Sequence, residues 1–243
     1  MNPIAAADAL AEPVGTFGTR WMMSPASYAA AAERGHVGLD FYFRGRVGAM
    51  GEVHAESAIA VLAFFDHDVV REAWARGPAV ESAFESARHF SDLCAEYGRT
   101  RLHDDVDLAS LAGLLGRVVE SADAAGLPLF AAWRALDVPD DAAGAVAHHL
   151  NGMRELRGGA HVAALAVQPV EPLHAVMVKG GEPNARLFGH QGDLPEVTDE
   201  IAARCAAAEA ATSAAVAATL AILTDGERAD LVRLTQAATE RRR

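Results

Sequence analysis

Residues 154–161 read Arg-Glu-Leu-Arg-Gly-Gly-Ala-His and lie inside a helical pattern predicted over residues 140–167. An α-helix turns by about 100° per residue, which places Arg157 about 60° and His161 about 20° from Arg154. The three side chains therefore share one face of the predicted helix. Because basic groups are costly to bury unpaired, they need carboxylates, carbonyls or a bound anion as partners.

Two adjacent glycines, Gly158 and Gly159, interrupt this helical pattern. Each costs about 1 kcal/mol relative to alanine in a helix interior, and that cost is explained if another backbone or a ligand approaches there. A purely structural alternative stays open, in which Arg154 and Arg157 pair with acidic side chains of a neighbouring helix.

Helical periodicity dominates the rest of the chain, because alanine is abundant and β-branched residues do not alternate with polar ones over any long stretch. The sequence predicts an all-α fold. Ser24 followed by Pro25 is typical of a helix start, and Gly35 of a helix end. Predicted helices cover residues 25–34, 39–47, 54–65, 67–76, 79–98, 105–123, 128–136, 140–167, 198–222 and 225–240.

A weak internal repeat aligns the segment that starts at Gly38 with the segment that starts at Gly126. It predicts two similar helical halves about a pseudo-twofold axis, with a pocket between them. Glycine and proline are concentrated in residues 179–197, which predicts a long loop with at most one short helical turn. The predicted segments are 1–100 and 101–178 for the two helical halves, 179–197 for the loop, and 198–243 for the C-terminal helices.

The predicted helix over residues 39–47 carries a second set of candidates. Asp40 and Arg44 have the i,i+4 spacing of a surface ion pair, and Tyr42 and Arg46 share another face. A phenol beside a guanidinium can bind and protonate an anionic or carbonyl-bearing ligand. The alternative is an aromatic core helix whose Arg46 reaches out to solvent.

Trp133 and Arg134 occupy the equivalent place in the second half, so the same two interpretations apply to them. No HExxH, P-loop or GxSxG pattern occurs, so neither a metal site nor a cofactor is expected. The catalytic candidates are His161 and Tyr42, and the substrate-binding candidates are Arg46, Arg154, Arg157, Trp133 and Arg134.

The charge of the chain argues against a nucleic-acid partner. It has 33 acidic and 21 basic side chains and a formal net charge of −12, which repels a phosphate backbone. The arginines at 241–243 form a terminal run of the kind that is usually solvated. No apolar run approaches the roughly 20 residues that span a bilayer, and the N-terminus lacks the basic start of a secretory signal. We therefore expect neither a nucleic-acid nor a membrane partner, and a cytoplasmic location.

Four segments together resemble an actinobacterial family of mostly uncharacterised proteins labelled helix-turn-helix or winged-helix, some of them encoded in natural-product gene clusters. The resemblance covers most of the chain and rests on Trp21–Pro25, Phe43–Arg46, Pro128–Arg134 and Arg154–His161. It implies a fold derived from the winged helix, but it carries no established reaction. In similar proteins a winged-helix-like segment follows the last of these motifs. Here that region is the Gly/Pro-rich segment 179–197, so the wing is expected to be reduced or absent.

Two functions fit these residues. The first is an enzyme of specialised metabolism, a cofactor-independent lyase, cyclase or isomerase that acts on a small anionic metabolite by acid-base chemistry. The second is a non-catalytic ligand-binding or transcriptional-regulator-like protein.

A homodimer or a partner protein is also expected. The predicted helix over residues 198–222 carries an alanine stripe, which is extended by Leu220 and Leu223. The stripe consists of Ala207, Ala210, Ala211, Ala214, Ala218 and Ala221.

Overall fold

The computed structural model describes residues 1–240, and α-helices account for most of them. No strand occurs in this range, which confirms the all-α prediction and leaves no β-hairpin wing in the described part of the chain. The α-helices are α1 (Pro3–Met22), α2 (Pro25–Glu33), α3 (Asp40–Val47), α4 (Ala55–Val61), α5 (His67–Arg76), α6 (Ala83–Arg101), α7 (Leu108–Ser121), α8 (Pro128–Arg134), α9 (Ala142–Val167), α10 (Pro172–Leu187), α11 (Asp199–Leu220) and α12 (Asp225–Thr239). Short 3₁₀-helices span Gly48–Met50 and Gly77–Ala79. The predicted terminal run 241–243 lies outside the described residues.

Short polar residues start many of the helices. Ser24 accepts a hydrogen bond from the backbone N–H three residues further on. Complete capping boxes start α6, with Ser82 and Glu85, and α12, with Thr224 and Glu227. These side chains satisfy backbone donors that have no partner inside the helix, so the helix starts are encoded locally.

The long helix α9 lies at the centre of the molecule and packs against α1, α6, α7, α8 and α11. Glycines permit the closest of these approaches. A Cβ on Gly98 of α6 would stand only 2.6 Å from the carbonyl oxygen of Ala143 at the start of α9. Gly18 of α1 leaves room for the side chain of Arg154 in the same way. Helices on several sides therefore hold α9 and the polar residues that it carries.

Two hydrophobic clusters form the core. The larger contains residues from α1 to α12 and joins both predicted halves, as the 6.2 Å ring separation between Phe90 and Trp133 shows. The smaller joins the end of α9 to the start of α11, and Phe64 packs against it. Its buried members are Ala164, Leu165, Val170, Cys205 and Ala208.

The internal repeat is not confirmed. Where one half of the alignment has the two helices α4 and α5, the other half has the single continuous helix α9. The division at residues 100 and 178 therefore stays a prediction.

The prediction of a loop over residues 179–197 is wrong for its first part. Helix α10 continues to Leu187 and is broken at Gly181, whose φ of 61° and ψ of −158° lie outside the helical region. Glycine adopts positive φ without the strain that a Cβ would bring, and Pro183 is tolerated near the start of the helical piece that follows. Within the predicted loop, only residues 188–197 lack a regular helix.

The sequence prediction also misses α1. Pro13 lies inside this helix and is followed by Gly15 and Gly18, which lower helix propensity. Packing of its apolar face into the core outweighs this local cost. The large buried residues of that face are Leu10, Val14, Phe17, Trp21 and Met22.

The predicted surface ion pair between Asp40 and Arg44 is wrong. Asp40 instead accepts two hydrogen bonds of 2.8 Å from Arg76 of α5. Arg44 is fully buried, donates to Glu52, and lies 4.7 Å from the ring centroid of Trp74. Helical spacing identifies neighbours on one helix, but partners from other elements offer these charges better geometry.

The alanine stripe of α11 is exposed along its whole length, whereas Leu220 and Leu223 are buried within the chain. Leu220 and Leu223 are therefore not available for the predicted interface. Association through the exposed alanines alone stays a prediction.

In the described part of the chain, one bent pair of helices has the length and composition of a membrane span, and no single helix does. Within residues 1–240, no individual helix combines the length and the apolar character needed to cross a membrane. Helices α11 and α12 meet the length and the apolar character only when they are taken together, and the chain bends by 116° between them.

Candidate functional site

Helices α3 and α9 meet in a buried ion-pair network. Arg46 donates to both carboxylate oxygens of Glu155, from Nε to Oε1 at 3.1 Å and from Nη2 to Oε2 at 2.7 Å. Arg154 donates from Nη1 to the same Oε1 at 2.9 Å. The hydroxyl of Tyr42 accepts from Arg46 at 2.7 Å and more weakly from Arg154 at 3.4 Å. The network thus brings together three of the predicted site residues around one carboxylate.

Charge is unevenly divided in this network. Burial raises the pKa of Glu155, but the charges of Arg46 and Arg154 outweigh that effect and hold the pKa below its ordinary value. Burial lowers the pKa of Arg46, whereas Glu155 and Tyr42 raise it by more, so the guanidinium stays charged. Two guanidinium groups share one carboxylate, and the network carries one surplus positive charge.

Further along α9, Arg157 and His161 meet α11. Arg157 donates from Nη2 to Oε2 of Glu209 at 2.8 Å. Nδ1 of His161 lies 3.0 Å from the hydroxyl of Thr212, and its ring stacks on Phe64 with the centroids 5.8 Å apart. This second group therefore lies at the smaller hydrophobic cluster, against which Phe64 packs.

The surroundings of His161 favour the neutral form of its ring. Burial lowers its pKa; Glu209 opposes this, and the positive charges of Arg157 and Lys179 add to it. The net effect is a pKa below the ordinary histidine value, which already lies below 7. A neutral imidazole in a polar site is suited to accept a proton.

An open face of α9 lies between these two groups. A Cβ built on Gly158 meets no atom within 4 Å, although the residue is inside a long helix. Gly158 lies about 40° from Arg154 and about 60° from His161 around the helix axis. We call this surface the Gly158 notch, and define it by Gly158 with the side chains of Arg154, Arg157 and His161. Those three side chains are 23%, 25% and 18% exposed, so solvent reaches all of them.

Trp133 and Arg134 contact a different part of the core. Trp133 is fully buried, and its ring centroid lies 6.2 Å from that of Phe90 and 6.1 Å from that of His148. His148 precedes Gly158 by ten residues, about 15 Å along a helix axis. Arg134 donates to a backbone carbonyl and lies over a ring of its own helix. These contacts of Trp133 and Arg134 lie outside the Gly158 notch. Their role in substrate binding stays a prediction.

Sequence analysis gives no role to Glu155, Glu209 or Phe64. The sequence does contain a signal for Glu155, which stands beside basic residues on a largely apolar helix. Buried guanidinium groups require a carboxylate, and Glu155 is the nearest one in the sequence. Glu209 and Phe64 come from other elements, and nothing in a single sequence pairs them with α9.

Other sites that could hold a ligand lie elsewhere. No group of three or more His, Cys, Asp or Glu side chains in residues 1–240 is arranged to hold a metal ion. One surface groove of about 490 Å³ lies between α1 and α12, and another of about 310 Å³ lies between α2 and α6. Neither groove contains a predicted site residue. The candidate chemistry is found at the Gly158 notch and in the adjoining ion-pair network.

A family model described as a helix-turn-helix family matches residues 6–192, which is well over half of the chain. The chain belongs to this helix-turn-helix family. No curated protein and no solved structure matches it. The match confirms the helix-turn-helix part of the resemblance, while an actinobacterial origin and a gene-cluster context stay expectations.

Within the region matched by the helix-turn-helix family, α4 and α5 are consecutive helices that pack on each other. Arg71 of α5 donates to Glu56 and Asp68, and Arg76 donates to Asp40. A helix that binds DNA presents basic side chains to phosphates. The arginines of α5 are instead paired with carboxylates, so this helix carries balanced charge.

Proposed function

We propose that this helix-turn-helix family protein binds a small anionic molecule in the Gly158 notch and moves a proton on it. The open face at Gly158, beside two guanidinium groups and a neutral imidazole, is the observation that carries the proposal. Glycine costs about 1 kcal/mol relative to alanine inside a helix. A ligand that approaches the helix backbone at this point would explain the glycine, because a larger side chain would occupy the same space.

The charge at the notch favours an anion. In the notch and the adjoining ion-pair network together, three guanidinium groups face the two carboxylates of Glu155 and Glu209, within a chain whose net charge is −12. They belong to Arg46, Arg154 and Arg157. Among the described residues, Arg157 gives only its Nη2 to an acceptor, which leaves Nε and Nη1 for a ligand. A carboxylate, sulfate or phosphate accepts paired N–H donors of this kind.

His161 is the proposed proton acceptor. The hydroxyl of Thr212 donates to the carbonyl oxygen of Ala208, so it must accept from Nδ1–H of His161. That tautomer leaves the lone pair on Nε2 of His161, and a neutral imidazole with such a lone pair acts as a general base.

Tyr42 is the proposed proton donor. Its oxygen accepts from two guanidinium groups, which leaves the phenol O–H to donate. Elimination, cyclisation and isomerisation can each proceed by transfer of a proton to a base and from an acid of this kind.

An NMR titration of the isotope-labelled full chain tests the binding step, with inorganic phosphate and benzoate as probes. We expect saturable shifts centred on the Gly158 amide and the His161 ring. Arg157→Gln should weaken binding about tenfold, the effect of losing one charge-assisted hydrogen bond. Arg204→Gln is the matched control, because Arg204 pairs with Glu200 on α11 outside the notch. Shifts scattered over the surface and unchanged by Arg157→Gln would refute the proposal.

Family membership favours a second candidate, a ligand-binding regulator without catalysis. Such a protein would use the Gly158 notch for an effector and would need a DNA target. An electrophoretic mobility assay with a random duplex DNA pool at physiological salt separates the two candidates. We expect no retardation, because the arginines of α5 are paired and the net charge is −12. Retardation at nanomolar protein that responds to phosphate or benzoate would favour the regulator.

A further inference from the structure

A set of buried polar side chains along α8 and α9 plays no part in the Gly158 notch. Asn151 is fully buried, and neither Oδ1 nor Nδ2 of its amide finds a hydrogen-bond partner within residues 1–240. The same is true of Nε1 of Trp133 and Nδ1 of His148. Unpaired buried groups are rare in folded proteins, because each gives up its hydrogen bonds to water without replacement.

Two of these side chains are neighbours in space, and helical spacing places the third beside them on α9. The ring centroids of Trp133 and His148 are 6.1 Å apart and the rings are tilted by 52°, so the two side chains are neighbours. Asn151 follows His148 by three residues and therefore lies on the neighbouring part of the same helix face. On this side α6 closes over the helix, where Cys94 donates to the carbonyl oxygen of Ala147 at 3.4 Å. We call Trp133, His148 and Asn151 the α9 polar core.

We propose that the α9 polar core is an internal binding site for water. It offers donors, the indole N–H of Trp133 and the amide N–H₂ of Asn151, together with the amide oxygen of Asn151 as an acceptor. A ligand must therefore both donate and accept, which a metal cation or a fully deprotonated anion cannot do. Buried waters typically make about three hydrogen bonds to such groups.

The site is uncharged. Burial, with a smaller contribution from His149, lowers the pKa of His148 to about 4, so this ring is neutral at physiological pH. A neutral, water-sized molecule suits a lining that carries no charge and lies where α6 and α8 pack against α9.

The proposal stands apart from the anion site. Asn151 and Gly158 are separated by about 10 Å along the axis of α9. Arg154 of the Gly158 notch follows Asn151 by three residues, but no side chain of the α9 polar core belongs to the notch. The two proposals rest on different side chains and are tested by different measurements.

Water-selective NOE and ROE spectra of the ¹⁵N-labelled full chain test the site. We expect cross-peaks from water to the Trp133 indole N–H and the Asn151 side-chain amide, with opposite signs in the two spectra, as contact with a long-lived water requires. The Trp74 indole is an internal control, because it already donates to the carbonyl oxygen of Val53 at 2.9 Å and should show no such cross-peak. Absence of cross-peaks at both Trp133 and Asn151 in the wild-type chain overturns the proposal.

A substitution tests the role of the amide. Asn151→Leu keeps a similar side-chain size and removes both hydrogen-bonding atoms. We expect the water cross-peak at Trp133 to fall at least tenfold in this variant. A full-strength cross-peak at Trp133 would show that the water is held without Asn151, and would overturn the assignment. The wild-type spectrum decides the existence of the site even if the variant does not fold.

Discussion

Glu155 pairs with two guanidinium groups, so its removal leaves the buried Arg46 without a carboxylate and takes away the partner of Arg154. Breaking a buried ion pair in this way costs about 3–5 kcal/mol. We expect Glu155→Gln to lower the free energy of unfolding by about that amount in urea denaturation. Glu209→Gln is the control, because the Glu209 side chain is 52% exposed and exposed pairs contribute less than about 1 kcal/mol. Equal losses in the two variants would contradict the buried network.

The pKa of Glu155 gives this contribution a pH dependence. Its folded-state pKa lies below the ordinary value of about 4.5, so the unfolded chain binds the proton more readily. The stabilisation is fully present above that ordinary value and is lost as the pH falls through the lower folded-state pKa. The urea midpoint of the wild-type chain should therefore fall more steeply below about pH 4.5 than that of Glu155→Gln. Parallel pH profiles would rule this out.

Gly158 and Gly159 offer a matched pair of substitutions. Alanine at 158 meets no atom within 4 Å and should raise the free energy of unfolding by up to about 1 kcal/mol. Alanine at 159 would stand 2.8 Å from Cδ2 of Leu127, so little or no gain is expected there. Thermal denaturation measures both effects. Gly158→Ala should also weaken benzoate binding in the NMR titration, and unchanged binding would exclude the backbone of Gly158 from the site.

At the residue scale, the sequence is informative where helical periodicity decides. The i,i+4 spacing predicts that Tyr42 and Arg46 are neighbours, and they share a hydrogen bond of 2.7 Å. The same spacing misleads for Asp40 and Arg44, because their partners come from other elements. The notch depends on Glu209 in the same way, and one sequence without contact information cannot supply such a partner.

At the element scale, local signals predict helices that have clear caps and few breaks. Helix α9 differs from its predicted range only at the N-terminal end, where it starts at Ala142. Helices α1 and α10 are missed because Pro13 and Gly181 lie inside them, and both residues are typical of turns. Tertiary packing holds α1 in spite of Pro13, and the break at Gly181 joins two helical pieces that the sequence pattern does not separate from a loop.

The conformation of Gly181 predicts a defect confined to α10. A Cβ is disfavoured at its φ of 61°, so Gly181→Ala should lower the stability of this helix by about 1 kcal/mol. Hydrogen exchange of α10 amides should accelerate, while exchange in α9 stays unchanged. Gly226→Ala in α12, where a Cβ meets no atom within 4 Å, is the control and should not destabilise. Unchanged exchange in α10 would mean that the break does not require glycine.

At the scale of the whole molecule, the alanine stripe of α11 is exposed and is therefore accessible to a second copy of the chain. If two copies meet through it, Ala214→Glu at its centre should dissociate them, because a buried unpaired carboxylate opposes close helix packing. Sedimentation velocity at micromolar concentrations measures this. A wild-type chain that sediments as a monomer throughout that range would remove the stripe from consideration.

Composition and periodicity were sufficient to predict an all-α molecule, and the family match places residues 6–192 in a helix-turn-helix family. Neither the sequence pattern nor the family match distinguishes a catalyst from a regulator. That distinction depends on the side-chain contacts between α3, α9 and α11. The smaller hydrophobic cluster beside Phe64 also brings together residues far apart in sequence. Its position next to the Gly158 notch could not be predicted from local patterns.

The central claim is that an anion binds beside His161 at the Gly158 notch, and an NMR pH titration of the His161 ring with and without saturating benzoate tests it most directly. In the free protein the pKa of His161 should lie below its ordinary value, because of burial and the nearby positive charges. Benzoate should raise that pKa in the wild-type chain, since a bound anion favours the imidazolium, and should have little effect in Arg157→Gln. A His161 pKa that benzoate leaves unchanged in the wild-type chain would contradict the account.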